Sequence, residues 1–320
     1  MAVYTEVTDE DLTAFLDQYE LGQVTAFKGI AEGVENSNYI LHTTTGSYIL
    51  TLYEKRVRAE DLPYFVGLME HLAGHGIDCP VPITGRDGGA LRELCGRPAA
   101  IVSFLDGLSP RRARPEHCRL LGAAMARMHL AGAGFKMRRE NALSLPGWRP
   151  LFESSAARAH EVQAGLAEAL DSELAYLEAN WPKDLPEGVI HADLFPDNVF
   201  FLGGRLSGII DFYFACNDFF AYDLAICLNA WCFEPDDAFN VTKARLMLQA
   251  YRQVRAFSQA ELEALPLLAR GSALRFLLTR LYDWLHHPEG ALVEPKDPLE
   301  YWKKLGFHQR ARGPGDYGLD

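Results

Sequence analysis

The chain has 320 residues, 48% of them hydrophobic, and carries 43 acidic against 31 basic side chains for a net charge of −12. That length suits one large bilobal unit or two domains around a sizeable core, and the apolar content excludes global disorder. The acidic surplus argues against a nucleic-acid partner and requires any phosphate site to be assembled locally.

The start, MAVYTEVTDEDL, has no basic or apolar leader segment, and FFAYDLAICLNAWCF is too short to span a bilayer. The six cysteines show no C-x-x-C spacing. The expectation is a soluble cytoplasmic protein with reduced thiols and no membrane partner.

In chain order, residues 8–20 open with Thr8 and Asp11 at capping-box spacing and continue with helical periodicity. Residues 22–53 are rich in β-branched and aromatic side chains broken by turns, which predicts a three-stranded antiparallel meander. A helix is predicted over 60–76, then two further strands ending at Asp106-Gly107. Beyond lie long helical patterns at 115–131 and 149–181, an isolated hairpin around Gly203-Gly204 within 189–215, and helices to about 290. The tail FHQRARGPGDYGLD shows no packing pattern and is expected to be poorly ordered. The sum is an α+β chain with a small sheet-rich lobe (1–105) and a larger helical lobe (106–320).

The hairpin carries the polar residues that need explaining. VIHADLFPDNVFFL sets His191, Asp193, Asp197 and Asn198 among strand-like apolar runs, and GIIDF adds Asp211 after a Gly-Gly turn. A short loop would place Asp193 and Asn198 at its two ends, with Asp211 on the adjoining strand. Three converging oxygen donors suit Mg²⁺, which takes few protein ligands and leaves the rest to phosphate and water. Phosphoryl transfer uses such a set: one Asp orients a hydroxyl while Asn and a second Asp hold the metal. Asp197 reads as a turn residue, and His191 as a bond to the loop backbone rather than a base, though it stays a catalytic candidate.

HADLFPDNV, GIIDF and NDFFAYDLA resemble the catalytic segment of the aminoglycoside-phosphotransferase-like, or choline-kinase-like, small-molecule kinases. Within that group GIAEGVENSNYIL, YILTLYEKRV, LRFLLTRLYDWL and KDPLEYWKKLGFH are similar to bacterial homoserine kinases, and the resemblance runs over residues 5–310. It implies a bilobal protein-kinase-like fold and an ATP- and Mg²⁺-dependent enzyme that phosphorylates L-homoserine on the way to threonine. It makes Asp193 the group at the substrate hydroxyl, Asn198 and Asp211 the metal ligands, and Asp223 a brace for the catalytic loop. Gly29, Gly33, Asn36 and Ser37 would cover the nucleotide phosphates, and Ser103 and Leu105 would border adenine. Thr51 stands where kinases of this fold place a strand cation, so Lys55 is the candidate to reach the phosphates instead.

The substrate's carboxylate favours a guanidinium, which makes Arg275 and Arg280 candidates, with Asp218 for the ammonium; an Arg280–Asp283 pair within the helix is the competing reading of Arg280. Two alternatives stay open: a kinase of the same fold acting on an aminoglycoside, choline or methylthioribose, and a non-catalytic nucleotide-binding pseudokinase.

Overall fold

The computed structural model describes residues 4–30, 36–54, 57–287 and 294–319. The first lobe is a five-stranded antiparallel sheet in the order β1-β2-β3-β5-β4, built from β1 (Val24–Gly29), β2 (Ser37–Thr43), β3 (Gly46–Leu52), β4 (Leu91–Leu94) and β5 (Arg97–Ser103). Its faces are covered by different helices, α1 (Asp9–Leu16) and α2 (Leu62–Gly74). Thr8 caps α1 by accepting from Asp11 N, as its spacing predicts, but the helix stops at Leu16 rather than at 20.

Alternation along the strands decides what each face touches. Tyr39, Leu41, Leu50, Leu52 and Ile101 point to one side and bury against Leu12, Phe15 and Leu16 of α1. On the other side, Ala100 and Val102 join Phe65, Leu68 and Leu72 of α2 in the large core that continues into the helical lobe. Thr51 pairs with Asn38 and Ala100.

The second lobe contains α3 (Pro115–Gly132), α4 (Leu145–Ala156), α5 (Leu166–Asn180), α6 (Phe220–Trp231), α7 (Val241–Val254), α8 (Gln259–Leu285) and α9 (Leu299–His308). Helices α3 and α7 cross at close range because Gly122 lacks a side chain; a Cβ there would lie 2.1 Å from Met247 O.

Three sequence expectations need correction. The helical pattern over 149–181 divides into α4 and α5, because residues 159–161 form a 3-10 turn and Gly165 takes φ 76°. The isolated hairpin, β7 (Val199–Leu202) and β8 (Arg205–Ile209), is flanked by a second antiparallel pair, β6 (Glu187–Ile190) and β9 (Cys216–Phe219). The tail is ordered: Tyr317 is fully buried and its hydroxyl bonds His308 Nδ1 at 2.8 Å, while His308 Nε2 lies 3.0 Å from Asn229 Oδ1. No helix among the described residues is long and apolar enough to cross a membrane.

Candidate active site

The two strand pairs deliver the loop that the sequence singled out. Between β7 and β8 the glycines take φ 57° and 76°, the left-handed pair that closes a tight hairpin. The loop from His191 to Asn198 then returns to β7 beside β8. Phe195 N donates to Asp193 O at 2.8 Å, Asn198 N to Phe195 O at 3.0 Å, and Ile210 N to Asn198 O at 3.0 Å. The last bond sets Asn198 next to the strand end that carries Asp211.

Ala192, immediately before Asp193, has φ 64°, and Asp211 has φ 65°. Non-glycine residues in the left-handed region store strain of order 1–3 kcal/mol each, and such strain gathers at functional sites. Ala192 is clamped at both its backbone groups: Asp223 Oδ1 accepts from its N–H at 2.8 Å, and Arg275 Nη1 donates to its carbonyl at 2.9 Å. Asp223 Oδ2 also accepts from His191 N at 3.0 Å and sits 3.0 Å from His129 Nε2. Burial alone would raise the Asp223 pKa; the hydrogen bond and field of His129, with the His191 side, overcome it and hold the carboxyl below its ordinary value. A fully buried carboxylate thus aims both oxygens at the loop, the geometry of a brace.

His191 is fully buried with Nε2 2.9 Å from Ile210 O, which ties the loop to the strand that ends at Asp211. Burial lowers its pKa, and because a carbonyl only accepts, Nε2 carries the hydrogen of this contact. That geometry gives it a backbone-tying task rather than proton transfer. Asn198 Nδ2 donates to Asp193 O at 2.8 Å and reaches Asp193 Oδ2 at 3.3 Å, which leaves its side-chain oxygen as the donor for a cation. The Asn198 amide oxygen, just before β7, and the Asp211 carboxylate, just beyond β8, form a sparse, hard-oxygen set that fits Mg²⁺. No group of three or more His, Cys, Asp or Glu among the described residues offers a competing metal site.

On the sheet side the expected contacts are distributed differently. Gly29 ends β1 opposite Tyr39. Asn36 Oδ1 accepts from Glu54 N at 3.2 Å. Ser37 is fully buried, and its hydroxyl accepts from Tyr4 N at 2.8 Å and Thr5 N at 3.1 Å while donating to Glu54 Oε1 at 2.8 Å. Its one O–H and both lone pairs are used, so the Ser37 side chain fastens the lobe. Gly33 and Lys55 lie outside the described residues. Thr51 donates to Asn38 Oδ1 at 2.8 Å, and Tyr53 and Tyr213 meet hydroxyl to hydroxyl at 3.4 Å nearby, their pKa values raised by burial, Tyr53 to about 12.

Ser103 Oγ accepts from Val81 N at 2.9 Å, and the half-buried Leu105 lies over Gly208 of β8, where a Cβ would come within 2.9 Å of its Cδ1. Leu108 exchanges backbone hydrogen bonds with Phe201 at 3.0 and 3.1 Å, so the connection between lobes rests directly on the catalytic hairpin.

Of the substrate candidates, Arg275 is buried and lines a cavity of about 390 Å³ beside the loop. Arg280 pairs with Glu300 of α9 at 2.6 Å and lies over the Tyr301 ring. Asp218 sits behind the cavity: Oδ2 accepts from Asn141 Nδ2 at 2.7 Å and Oδ1 from Phe219 N at 2.7 Å, with burial raising its pKa.

Sequence reading missed His129, Arg139 and Asp61. A histidine within the apolar helix MARMHLA was the available signal for the first. For the other two, on separate elements 78 positions apart, only the fold supplies the pairing.

A small antiparallel sheet, a connection lying on the β7–β8 hairpin, and a strained, braced loop that brings Asp193 and Asn198 beside Asp211 point to a kinase-like phosphotransferase. Comparison with known proteins agrees. The phosphotransferase enzyme family matches residues 26–257. The chain is 65% identical to the homoserine kinase of Paramagnetospirillum magneticum, covering all of both chains. It is 66% identical to that of Bradyrhizobium diazoefficiens, covering all of this chain and 98% of the relative. The chain therefore belongs to the phosphotransferase enzyme family, in its homoserine kinase branch. Among solved structures, a choline kinase from Cryptosporidium parvum superposes with a TM-score of 0.69 at 14% identity over 95% of each chain. An amicoumacin kinase does so with 0.67 at 18% identity, again over 95% of each. Both likenesses describe the fold.

Proposed function

We propose that this chain transfers the γ-phosphoryl group of ATP to the hydroxyl of L-homoserine, giving O-phospho-L-homoserine and ADP. The full-length identity to relatives named homoserine kinase carries the reading, and the loop geometry supports its chemistry. Asp193 accepts the hydroxyl proton as the new O–P bond forms and the bond from the γ-phosphorus to the bridging oxygen breaks. Asn198, through its free amide oxygen, and Asp211 are the residues that would hold Mg²⁺, which supplies charge neutralisation at the phosphates when bound. Asp223 and Arg275 hold Ala192 in its left-handed conformation and so fix the direction in which Asp193 leaves the backbone. Gly29, at the end of β1, faces the phosphates, and Ser103 to Leu105 border the adenine.

Thr51 offers no positive charge to the phosphates, the feature that kept a pseudokinase in view. The braced loop weighs against that alternative, because two clamps on one strained residue serve no purpose in passive nucleotide binding. The test is ADP release with Mg²⁺-ATP against L-homoserine, D-homoserine, L-serine, choline, methylthioribose and kanamycin. Turnover confined to L-homoserine is the expected result. Turnover with another alcohol alone would discard the substrate, and ATP binding without any turnover would discard the kinase.

A further inference from the structure

Beside the catalytic loop lies the cavity of about 390 Å³ whose wall includes Arg58, Asp61, Arg139, Asn141, Tyr213 and Arg275. Its size is at the low end of the roughly 300–1,000 Å³ of small-molecule pockets. Arg58 is paired with Glu60 and Arg139 with Asp61, so Arg275 is the guanidinium that leaves the wall locally cationic in a chain of net charge −12.

Arg139 is the most firmly held of these. Its Nε donates to Asp61 Oδ2 at 3.0 Å and its Nη1 to Ala215 O at 3.2 Å, while its guanidinium lies 5.0 Å from the centre of the Phe65 ring. Its backbone is tied on both sides to Asn217, N–H to Oδ1 at 3.0 Å and carbonyl to N–H at 2.7 Å. Asn141, fixed by Asp218, locks the following residues through Leu143 N at 2.9 Å. Asp61 begins α2 without capping it, because its side chain turns to Arg139. Both members of the pair keep about a fifth of their side-chain surface exposed. Arg139 and Arg275 both line this cavity, and Arg275 is itself bonded to the loop at Ala192 O.

An α-amino acid presents a carboxylate and an ammonium two bonds apart, and a rigid guanidinium–carboxylate pair at a cavity wall is its complement. We infer that the Arg139–Asp61 pair is the specificity element for the amino-acid end of the substrate: Arg139 forks the carboxylate, backed by the charge of Arg275, and Asp61 takes the ammonium. The hydroxyl end of the substrate then extends toward Asp193, which follows the residue that Arg275 clamps. This inference rests on the homoserine reading and adds the residues that select the zwitterion.

The test compares kcat/KM for L-homoserine with that for 3-aminopropan-1-ol, the same alcohol without its carboxylate, in the full-length wild type, Arg139→Gln and Arg139→Lys. The wild type should favour homoserine strongly. In R139Q the preference should fall by about 100-fold, the scale of a lost charge-assisted fork, through a raised homoserine KM. The ATP KM and turnover of 3-aminopropan-1-ol should stay within about twofold. A structural role alone would depress both alcohols equally and overturn the inference. If R139Q does not fold, judged by loss of nucleotide-induced thermal stabilisation, R139K decides: it keeps the charge and loses the fork, so a partial fall is expected and an unchanged preference overturns the inference. A wild type that uses both alcohols equally also overturns it while leaving the kinase standing. A wild type inactive on homoserine removes the parent reading before any variant is made.

Discussion

Asp223 and Ser37 are both fully buried polar residues that fasten a segment of the cleft, and they recruit partners in opposite ways. Asp223 stands on α6 and takes every bond from within the helical lobe: the loop N–H groups of His191 and Ala192, and the imidazole of His129 on α3. Ser37 stands at the start of β2 and takes its bonds from Tyr4 and Thr5, far away in sequence and outside any regular element, with Glu54 as the third partner. The loop expected to do chemistry is thus anchored to the most buried part of the molecule, whereas the strand end beside the expected phosphate cover is anchored to a terminal segment at the surface. Precision is concentrated where a proton must move, and compliance is left where a nucleotide must enter and leave.

The largest effect that can break this comparison is chemical. Asp193→Asn should lower kcat by about 10³-fold or more while nucleotide affinity stays within a few-fold, measured by steady-state turnover and calorimetric titration with ATP. An equal loss of ATP affinity would reassign Asp193 to the metal. Next is the brace itself. Asp223→Ala strands two loop N–H groups and His129 in the interior, which should cost about 3–5 kcal/mol in denaturant unfolding together with most activity. An unchanged midpoint would mean that Ala192 holds its conformation without it.

Ser37→Ala tests the other side. It should lower stability by about 1–2 kcal/mol and raise the ATP KM several-fold, with kcat within about twofold. A kcat loss as large as the KM change would erase the contrast between the two regions. The smallest effect concerns a fastening at the rim of the helical lobe, Glu234 with Lys243 at 2.7 Å. The hydrogen bonds from Lys243 and then Asn240 pull the Glu234 carboxyl down to about 2 from its ordinary 4.5, burial opposing. A depressed carboxylate contributes stability that is complete above its unfolded pKa and is lost as pH falls toward the folded one. The stability gap between wild type and Glu234→Gln should therefore be widest near neutral pH and narrow by about 1 kcal/mol between pH 5 and 3.5. A pH-independent gap would show that the pair acts through packing alone.

Much of this was legible in the chain before folding. β-Branched and aromatic runs broken by turns mark β1 to β3, and the short loop between Asp193 and Asn198 with Asp211 beyond a Gly-Gly turn marks the hairpin, because these signals are local. The break between α4 and α5 was hidden because helical periodicity continues on both sides of it. The ordered tail escaped notice because Tyr317 finds its partner, His308, only after α9 docks on α8. The bonds of Ser37 to Tyr4 and Thr5 were not legible because their partners lie more than 30 positions away and carry no local signal. Arg280's bond to Glu300 was not legible because the two lie on different helices, 20 positions apart, and only the docking of α9 brings them together.

The division of the sheet between α1 on one face and the large core on the other has a kinetic corollary. The α1 face is a separate apolar cluster that closes with three helical side chains, so it can open and reclose while β5, shared with the larger core, stays in place. Amide hydrogens of α1 and β1 should then exchange with solvent deuterium through a partial opening of lower free energy than the unfolding that releases α3 and α6. Because Tyr4 and Thr5 leave with α1, each such excursion would also release Ser37, making the exchange rate at the start of the chain a clock for the loosening of the strand beside the nucleotide.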